Sequence, residues 1–126
     1  KVAPEVVTVY LTVQQGDDRI QVGRPGASPW LAGFDVDDHG GSVPRLVKAA
    51  GGRVWSPFHR DLKPELLAEA HRLGLTVVPW TVNRPEDMEA LIDQGVDGLI
   101  TDRPDLGREV LSKKGLSLPK ATPVVP

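Results

Sequence analysis

Two stretches of this sequence decide its fold: VVPWTVNRP at residues 77–85 and GVDGLITDRP at residues 95–104. Each contains a short apolar strand that ends in polar residues and runs directly into a helix start, which a proline marks in both cases. Two successive strand-to-helix units of this kind are typical of the closing part of a (β/α) barrel. Polar residues at the carboxyl ends of such strands lie on the rim where barrel enzymes keep their active sites.

The same unit repeats through the rest of the chain. Apolar patterning predicts strands over residues 5–13, 53–58, 75–80 and 96–101, and helices over residues 43–50, 64–73, 85–94 and 104–114. The first strand is dense in β-branched residues, which predicts burial on both faces. Right-handed crossovers make the strands parallel. A complete barrel has eight units and about 250 residues, so the chain is predicted to be an α/β protein, the second half (four βα units) of a TIM-type (β/α)8 barrel over residues 1–114. An open sheet and a barrel closed by two copies are the alternatives.

A long loop over residues 14–41 separates the first strand from the first helix. Loops of this length are uncommon unless they are functional, so we expect it to lie over the active-site face. Within it, DVDDHG at 35–40 imitates the start of a calcium-binding hand, but the position of the bidentate glutamate falls on Leu46. A turn-rich loop is therefore expected, with a looser site for a hard cation as the alternative. Residues 115–126 form a Pro-rich tail that is expected to be extended.

The composition is that of an ordinary globular domain, with 40% hydrophobic and 25% charged residues in a chain of 126. A formal net charge of −2 leaves no basic excess for nucleic acid or an anionic membrane surface. There is no cysteine, which excludes disulfides, and no apolar run is long enough to span a bilayer. The chain starts at Lys1 without an initiator methionine, so we expect an internal or carboxy-terminal piece of a longer protein; a processed mature protein would also lack it.

The strand ends carry the candidate site residues. Trp80 ends the third strand and is interpreted as the wall of a substrate pocket or as an aromatic cap on the core. Asn83 follows, with capping of the helix that begins at Pro85 as its alternative role. Asp102 ends the fourth strand, where it either orients a substrate hydroxyl or caps the last helix.

The second strand ends in Trp55, Ser56, Phe58 and His59. His59 is a candidate proton donor or phosphate contact, and the alternative is a solvated loop side chain. The sequence contains no glycine-rich phosphate cradle and no serine in a nucleophile elbow. A complete catalytic apparatus is therefore not visible.

Five motifs stand in order along the second part of the chain: WSPF at 55–58, AHxLGLxV at 70–77, WTVN at 80–83, EDM at 86–88 and GVDGLITDRP at 95–104. On these motifs the chain resembles the carboxy-terminal half of a glycerophosphodiester phosphodiesterase, over about residues 42–112. The resemblance implies a TIM-type barrel that hydrolyses glycerophosphodiesters, the deacylated phospholipids, to an alcohol and glycerol 3-phosphate. It also implies a divalent cation, Mg²⁺ or Ca²⁺, held by carboxylates, and two histidines as general acid and base.

The resemblance places the catalytic parts of that family in its amino-terminal half. The family's His-Arg-Gly motif, second histidine and metal-binding acids have no counterpart here, and His39, His59 and His71 stand outside those motifs. We therefore expect no catalytic residue and no metal ligand in this chain, and a missing amino-terminal half-barrel as its partner. The resemblance carries over only a substrate-binding wall, to which we assign Trp80, Phe58, Trp55, Asn83 and Asp102.

Two alternative functions stay open. A non-catalytic half-barrel that assembles with itself or binds a partner would also lack catalytic residues, and four units leave exposed strand edges and an apolar face. A related barrel that cleaves lysophospholipid or inositol-lipid head groups is the other alternative, although the motifs at 80–83 and 95–104 argue against it. The compartment is unknown, with the resemblance favouring a periplasmic or secreted location over the cytoplasm.

Overall fold

The structure, a computed structural model, describes residues 5–14 and 19–120. Three strands, β1 (Val9–Thr12), β2 (Val54–Pro57) and β3 (Thr76–Val77), form a parallel sheet in the order β1-β2-β3. The α-helices are α1 (Val43–Ala49), α2 (Pro64–Arg72), α3 (Pro85–Gln94) and α4 (Pro104–Lys113). Short 3₁₀ turns cover Pro29–Leu31, Asp37–His39 and His59–Asp61. The predicted α/β class and the parallel strand order are confirmed.

The α-helices begin and end close to the predicted positions. A proline lies in the first turn of each, where its missing N–H costs nothing. Ser42 caps α1 by accepting a hydrogen bond from the backbone N–H of Arg45 at 3.3 Å. Gly95 ends α3 at a φ of 93°, a left-handed conformation that glycine adopts at little cost. No helix in the described part of the chain is long and apolar enough to cross a membrane.

The helices cover one face of the sheet, and the hydrophobic core lies between them. Trp55 of β2 and Val77 of β3 are paired in register on this face, and both are buried. Ala70 of α2 belongs to the same buried cluster. Tyr10 of β1 also points to the helices, because its hydroxyl donates to the carbonyl of Ala50 at the end of α1, at 3.1 Å.

The opposite face of β1 is open. Val9 and Leu11 alternate with Tyr10 along the strand, and they are 46% and 60% exposed. The predicted burial of the first strand on both faces does not hold for this chain by itself, because Val9 and Leu11 stay largely exposed among residues 5–14 and 19–120. The regular strand is also shorter than the predicted span of 5–13.

The predicted fourth strand, residues 96–101, is not a regular strand. Its backbone nevertheless runs beside β3 and the residues that follow it: the N–H of Asp97 donates to the carbonyl of Val77, and the N–H of Ile100 to that of Pro79, both at 3.0 Å. The side chain of Asp97 explains the irregularity, because its carboxylate accepts the N–H of Val77 at 2.7 Å. A side chain thus takes a donor that a regular ladder would pair with a strand carbonyl.

The long loop is braced by its own aspartates. The carboxylate of Asp37 accepts the N–H of Gly23 at 2.9 and 3.0 Å, and that of Asp35 accepts the N–H of Gly26 at 2.9 Å. These contacts are those of the expected turn-rich loop. No group of three potential cation ligands occurs in the described ranges. The loop residues 15–18 and the tail residues 121–126, which the predictions include, lie outside the described residues.

Candidate functional site

Two aromatic side chains meet at the carboxyl ends of β2 and β3. Phe58 and Trp80 form a parallel bridge just beyond the strands, with ring centroids 5.5 Å apart and planes tilted by 56°. Both are half-buried. The indole N–H of Trp80 donates to the carbonyl of Ser56 at 2.9 Å. Because that N–H is already used, Trp80 offers a ligand only the surface of its ring.

A cavity of about 220 Å³ lies beside Trp80 at this rim. Its walls come from the end of β1, from the long loop and from Trp80, and they include Leu11, Thr12, Arg19, Ile20 and Trp30. The structure therefore brings the long loop to the carboxyl end of the sheet, where an α/β protein binds its ligands. Arg19 and Trp30 were not among the predicted site residues. The sequence feature that could have indicated them is the presence of a tryptophan and an arginine in a loop otherwise rich in Gly, Pro, Asp and Ser.

Ser28 joins two backbone segments of the outer cavity wall, at Arg19 and at Trp30. Its hydroxyl accepts the N–H of Trp30 at 3.2 Å and donates to the carbonyl of Arg19. Ser28 is buried, whereas the Trp30 side chain is 70% exposed. The guanidinium carbon of Arg19 lies 4.9 Å from the ring centroid of Trp30, a cation–π distance.

Asn83 joins the chain at the end of the third predicted strand to the chain at the end of the fourth. Its side-chain oxygen accepts the hydroxyl of Thr101 at 3.1 Å and the N–H of Asp102 at 2.9 Å, and its amide nitrogen donates to the Asp102 carboxylate at 2.8 Å. Neither residue caps a helix, because α3 and α4 begin after Arg84 and Arg103 without a side-chain cap. The capping alternatives are wrong, and substrate contact by Asn83 and Asp102 stays a prediction.

Trp55 does not reach the cavity. Its side chain is 1% exposed within the helix-side core. Its indole N–H donates to the hydroxyl of Thr12 at 2.9 Å. The predicted substrate wall therefore loses Trp55, because the side chain has no surface that a substrate could contact.

None of the three histidines lines the cavity beside Trp80. His59 lines a separate polar cavity with Asp87, between the 3₁₀ turn His59–Asp61 and α3. Burial lowers the pKa of His59 below its usual range, and the Asp87 carboxylate opposes this shift. His71 lies in α2 and forms a hydrogen bond with the carboxylate of Asp97 at 3.0 Å. His39 packs against Phe34 in the long loop, with ring centroids 6.0 Å apart.

Comparisons with known proteins agree on one family. The sequence model of the glycerophosphoryl diester phosphodiesterase family matches residues 7–106. A glycerophosphodiester phosphodiesterase of Caldanaerobacter subterraneus subsp. tengcongensis is 44% identical over 59 residues, which are 47% of this chain and 24% of that protein. A glycerophosphodiester phosphodiesterase of Bacillus subtilis is 41% identical over 59 residues, 47% of this chain and 20% of that protein. The matched part is thus about a quarter or less of these relatives.

Solved structures give the same result. A protein of Silicibacter pomeroyi, provisionally named a glycerophosphoryl diester phosphodiesterase, superposes with a TM-score of 0.71 and 40% identity over 92% of this chain and 34% of its own. A protein of Agrobacterium tumefaciens with the same provisional name gives a TM-score of 0.65 over 90% of this chain and 39% of its own. At 17% identity, that second likeness concerns the fold alone.

Proposed function

Because this chain belongs to the glycerophosphoryl diester phosphodiesterase family, we propose that the full-length protein hydrolyses glycerophosphodiesters to an alcohol and glycerol 3-phosphate. In this proposal the chain supplies the substrate-side wall of the site. The observation that carries it is Trp80, half-buried in the wall of a cavity at the carboxyl ends of parallel strands, with Phe58 packed against its ring outside the cavity lining. Aromatic surface in that position packs against the carbon skeleton of a small polar substrate and excludes water from it.

The reaction that we propose depends on a divalent cation, Mg²⁺ or Ca²⁺, which neutralises the oxygens of the phosphodiester. The described residues do not fit such an ion, because no three His, Asp or Glu side chains gather around a common point in them. We assign no metal ligand, acid or base to the residues that the structure describes. In the proposal these groups come from the remainder of the full-length protein, and Asn83 with Asp102 brace the rim that faces them.

Trp80→Ala tests the proposed wall in the full-length protein. Removal of the ring strips apolar surface from the bound substrate, so kcat/KM for glycerol 3-phosphate release is expected to fall about tenfold or more, with Trp80→Phe falling less. Release is measured with added Mg²⁺ or Ca²⁺ and again after chelation with EDTA, which is expected to abolish it.

Wild-type kcat/KM in Trp80→Ala, at an unchanged melting temperature, would contradict the wall. If no glycerophosphodiester releases glycerol 3-phosphate with either metal, the proposed activity itself is wrong.

We further propose that the sheet is half of a barrel which the remainder of the protein closes. Two observations support this: the open face of β1, where Val9 and Leu11 are exposed, and the 34% of the Silicibacter structure that nearly the whole chain covers. β1 also stands at the edge of the sheet, where its outer backbone groups are available for another strand.

The same open face favours one alternative, a non-catalytic half-barrel that assembles with itself or binds a partner. Exposed apolar faces of this kind are rare on monomers. Sedimentation of the 126-residue chain separates the two ideas. A tight, soluble dimer favours self-assembly. A monomer that aggregates favours the barrel that the remainder of the protein closes.

A further inference from the structure

The cavity beside Trp80 has a largely apolar lining. Most of the side chains in its walls are aliphatic or aromatic: Leu11, Val13, Ile20, Trp30, Leu31 and Trp80. Val9, at the start of β1, does not line the cavity. The apolar lining is therefore confined to the rim end of this strand, and it is separate from the part of the open face that Val9 occupies.

The polar groups of the lining already have partners within the protein. The indole N–H of Trp80 donates to a carbonyl of β2, and the hydroxyl of Thr12 accepts the indole N–H of Trp55, both at 2.9 Å. The guanidinium carbon of Arg19 lies 4.9 Å from the ring centroid of Trp30. Because these groups interact within the protein, the surface that remains for a ligand is mainly apolar.

The outer wall of the cavity rests on a buried hydroxyl. Ser28 is 1% exposed, and its hydroxyl hydrogen-bonds the backbone of both Arg19 and Trp30. The Trp30 side chain remains 70% exposed, so its ring borders the cavity without filling it. An apolar space of about 220 Å³ thus stays open beside an aromatic ring, as in sites that bind the hydrocarbon part of a ligand.

The place of the cavity favours a small molecule over another protein surface as its occupant. The cavity lies at the carboxyl ends of the parallel strands, where α/β proteins bind their ligands. It shares Trp80 with the proposed substrate wall. Its outer wall belongs to a strand-to-helix loop, and such loops determine specificity on this face of a barrel.

We propose that this cavity binds an apolar group on the alcohol side of the diester, so that the protein favours glycerophosphodiesters whose alcohol carries a hydrocarbon chain. This role rests on the proposed hydrolase activity and adds to it the class of alcohol. Trp30 is the specificity residue, because its ring extends the apolar surface from the cavity toward solvent.

The test uses a series of diesters that share the same glycerophosphate and differ only in the length of an alkyl alcohol: glycerophosphoethanol, glycerophosphobutanol and glycerophosphohexanol. In the full-length protein, kcat/KM for glycerol 3-phosphate release is expected to rise by up to about fourfold for each added CH₂ group until the cavity is filled. The ratio of kcat/KM for the hexyl ester to that for the ethyl ester measures the apolar preference.

Trp30→Ala is expected to lower the hexyl-to-ethyl ratio by about tenfold, because it removes aromatic surface that only the longer chain reaches. Hydrolysis of the ethyl ester is expected to change by less than about twofold. Trp30→Phe keeps an aromatic ring and is expected to retain most of the preference.

Val22→Ala is the matched control, because Val22 is an exposed apolar residue of the same loop that lies outside the cavity lining. It is expected to leave the hexyl-to-ethyl ratio unchanged. A wild-type kcat/KM that does not depend on chain length, or a ratio that Trp30→Ala and Val22→Ala lower equally, overturns the inference. The apolar lining would then be a surface that the remainder of the protein covers.

Calorimetric binding of the same esters separates this inference from the proposed activity. If no ester is hydrolysed but the hexyl ester binds more tightly than the ethyl ester, and Trp30→Ala removes that difference, the subsite stands and the hydrolase proposal fails. If all the esters are hydrolysed with equal kcat/KM, the hydrolase proposal stands and the subsite fails. If no ester is bound, both fail.

Discussion

Ser42 joins two helices through one hydroxyl group. Besides capping α1, it donates a hydrogen bond to the Glu69 carboxylate of α2 at 2.6 Å, and Arg45 contacts the other carboxylate oxygen at 2.6 Å. The hydrogen bond from Ser42 is the main cause that lowers the pKa of the Glu69 carboxyl below its usual range, and Arg45 adds to it. A carboxyl with a lowered pKa in the folded state stabilises the fold at neutral pH and loses that effect as the pH falls through the folded-state pKa.

Ser42→Ala is expected to lower the free energy of unfolding by about 1–2 kcal/mol near pH 7, through loss of the helix cap and of the hydrogen bond to Glu69. The difference from wild type is expected to shrink in acid, where Glu69 is protonated in both proteins. Urea unfolding at several pH values measures it. Ser112→Ala, at an exposed position in α4, is the control and is expected to change stability by less than about 0.5 kcal/mol. A difference that stays constant down to the acid limit would contradict the role of Glu69.

Trp55 and Trp80 show what the sequence could not decide at single residues. Both stand at the end of an apolar run. Because side chains alternate between the two faces of a strand, Trp55 packs against the helices and Trp80 lies at the rim. Which tryptophan packs against the helices and which lies at the rim depends on the register between strands, and local patterning does not contain that register. Asn83 was similarly ambiguous, because Pro85 at the helix start makes Arg84 the flanking residue and leaves Asn83 to bond with Asp102.

At the scale of elements, the helices were predictable and the last strand was not. Prolines in first turns and glycines at helix ends act locally, so Pro104 and Gly95 mark the boundaries of α4 and α3 without knowledge of the fold. The segment 96–101 has the composition of a strand, but Asp97 uses its side chain where a ladder would use a carbonyl. Whether the Asp97 carboxylate or a backbone carbonyl accepts the N–H of Val77 depends on the neighbouring strand, so a single sequence does not predict it.

Gly52, in the connection between α1 and β2, lies close against α1 and against Tyr10 of β1. A β-carbon there would lie 2.6 Å from a methyl group of Val47, 2.8 Å from its carbonyl oxygen and 3.0 Å from the ring of Tyr10. Gly52→Ala is therefore expected to cost about 1–3 kcal/mol of unfolding free energy, because backbone atoms must move.

Gly107→Ala is a control for Gly52→Ala with the opposite sign. Gly107 lies in α4, and its added methyl group would be 3.8 Å from Thr101. Alanine in a helix is expected to raise stability by about 0.5–1 kcal/mol. Thermal unfolding of both variants checks the pair, and equal stability of Gly52→Ala and wild type would show that Gly52 is not packed so closely against α1 and Tyr10.

At the scale of the whole molecule, the candidate site depends on distant parts of the chain. The cavity needs the end of β1, the long loop and Trp80 together. The sequence indicated that the loop was functional from its length, and it indicated Trp80 from its position after a strand. The contact of Arg19 with Trp30 depends on hydrogen bonds from the buried hydroxyl of Ser28 to both backbone segments. No periodicity in the sequence predicts these hydrogen bonds.

Val9→Glu tests the barrel that we propose for the full-length protein. If the open face of β1 is covered there, burial of a carboxylate is expected to cost about 3 kcal/mol or more. Val22→Glu, at a loop valine of similar exposure (49% against 46%), is expected to stay within about 0.5 kcal/mol. Chemical unfolding of both full-length variants measures the difference, and equal costs would mean that this face of β1 stays in water.

The chain contains three tryptophans at three depths: Trp55 at 1% exposure, Trp80 half-buried at the rim and Trp30 at 70% exposure in the loop. Indole emission shifts to longer wavelength as water gains access to the ring, so Trp30 is expected to emit at longer wavelength than Trp55. A collisional quencher such as acrylamide reaches Trp30 before the other two, because its ring is the most exposed of the three. The molecule therefore carries an intrinsic optical probe of its long loop, which reports on events there while Trp55 monitors the core.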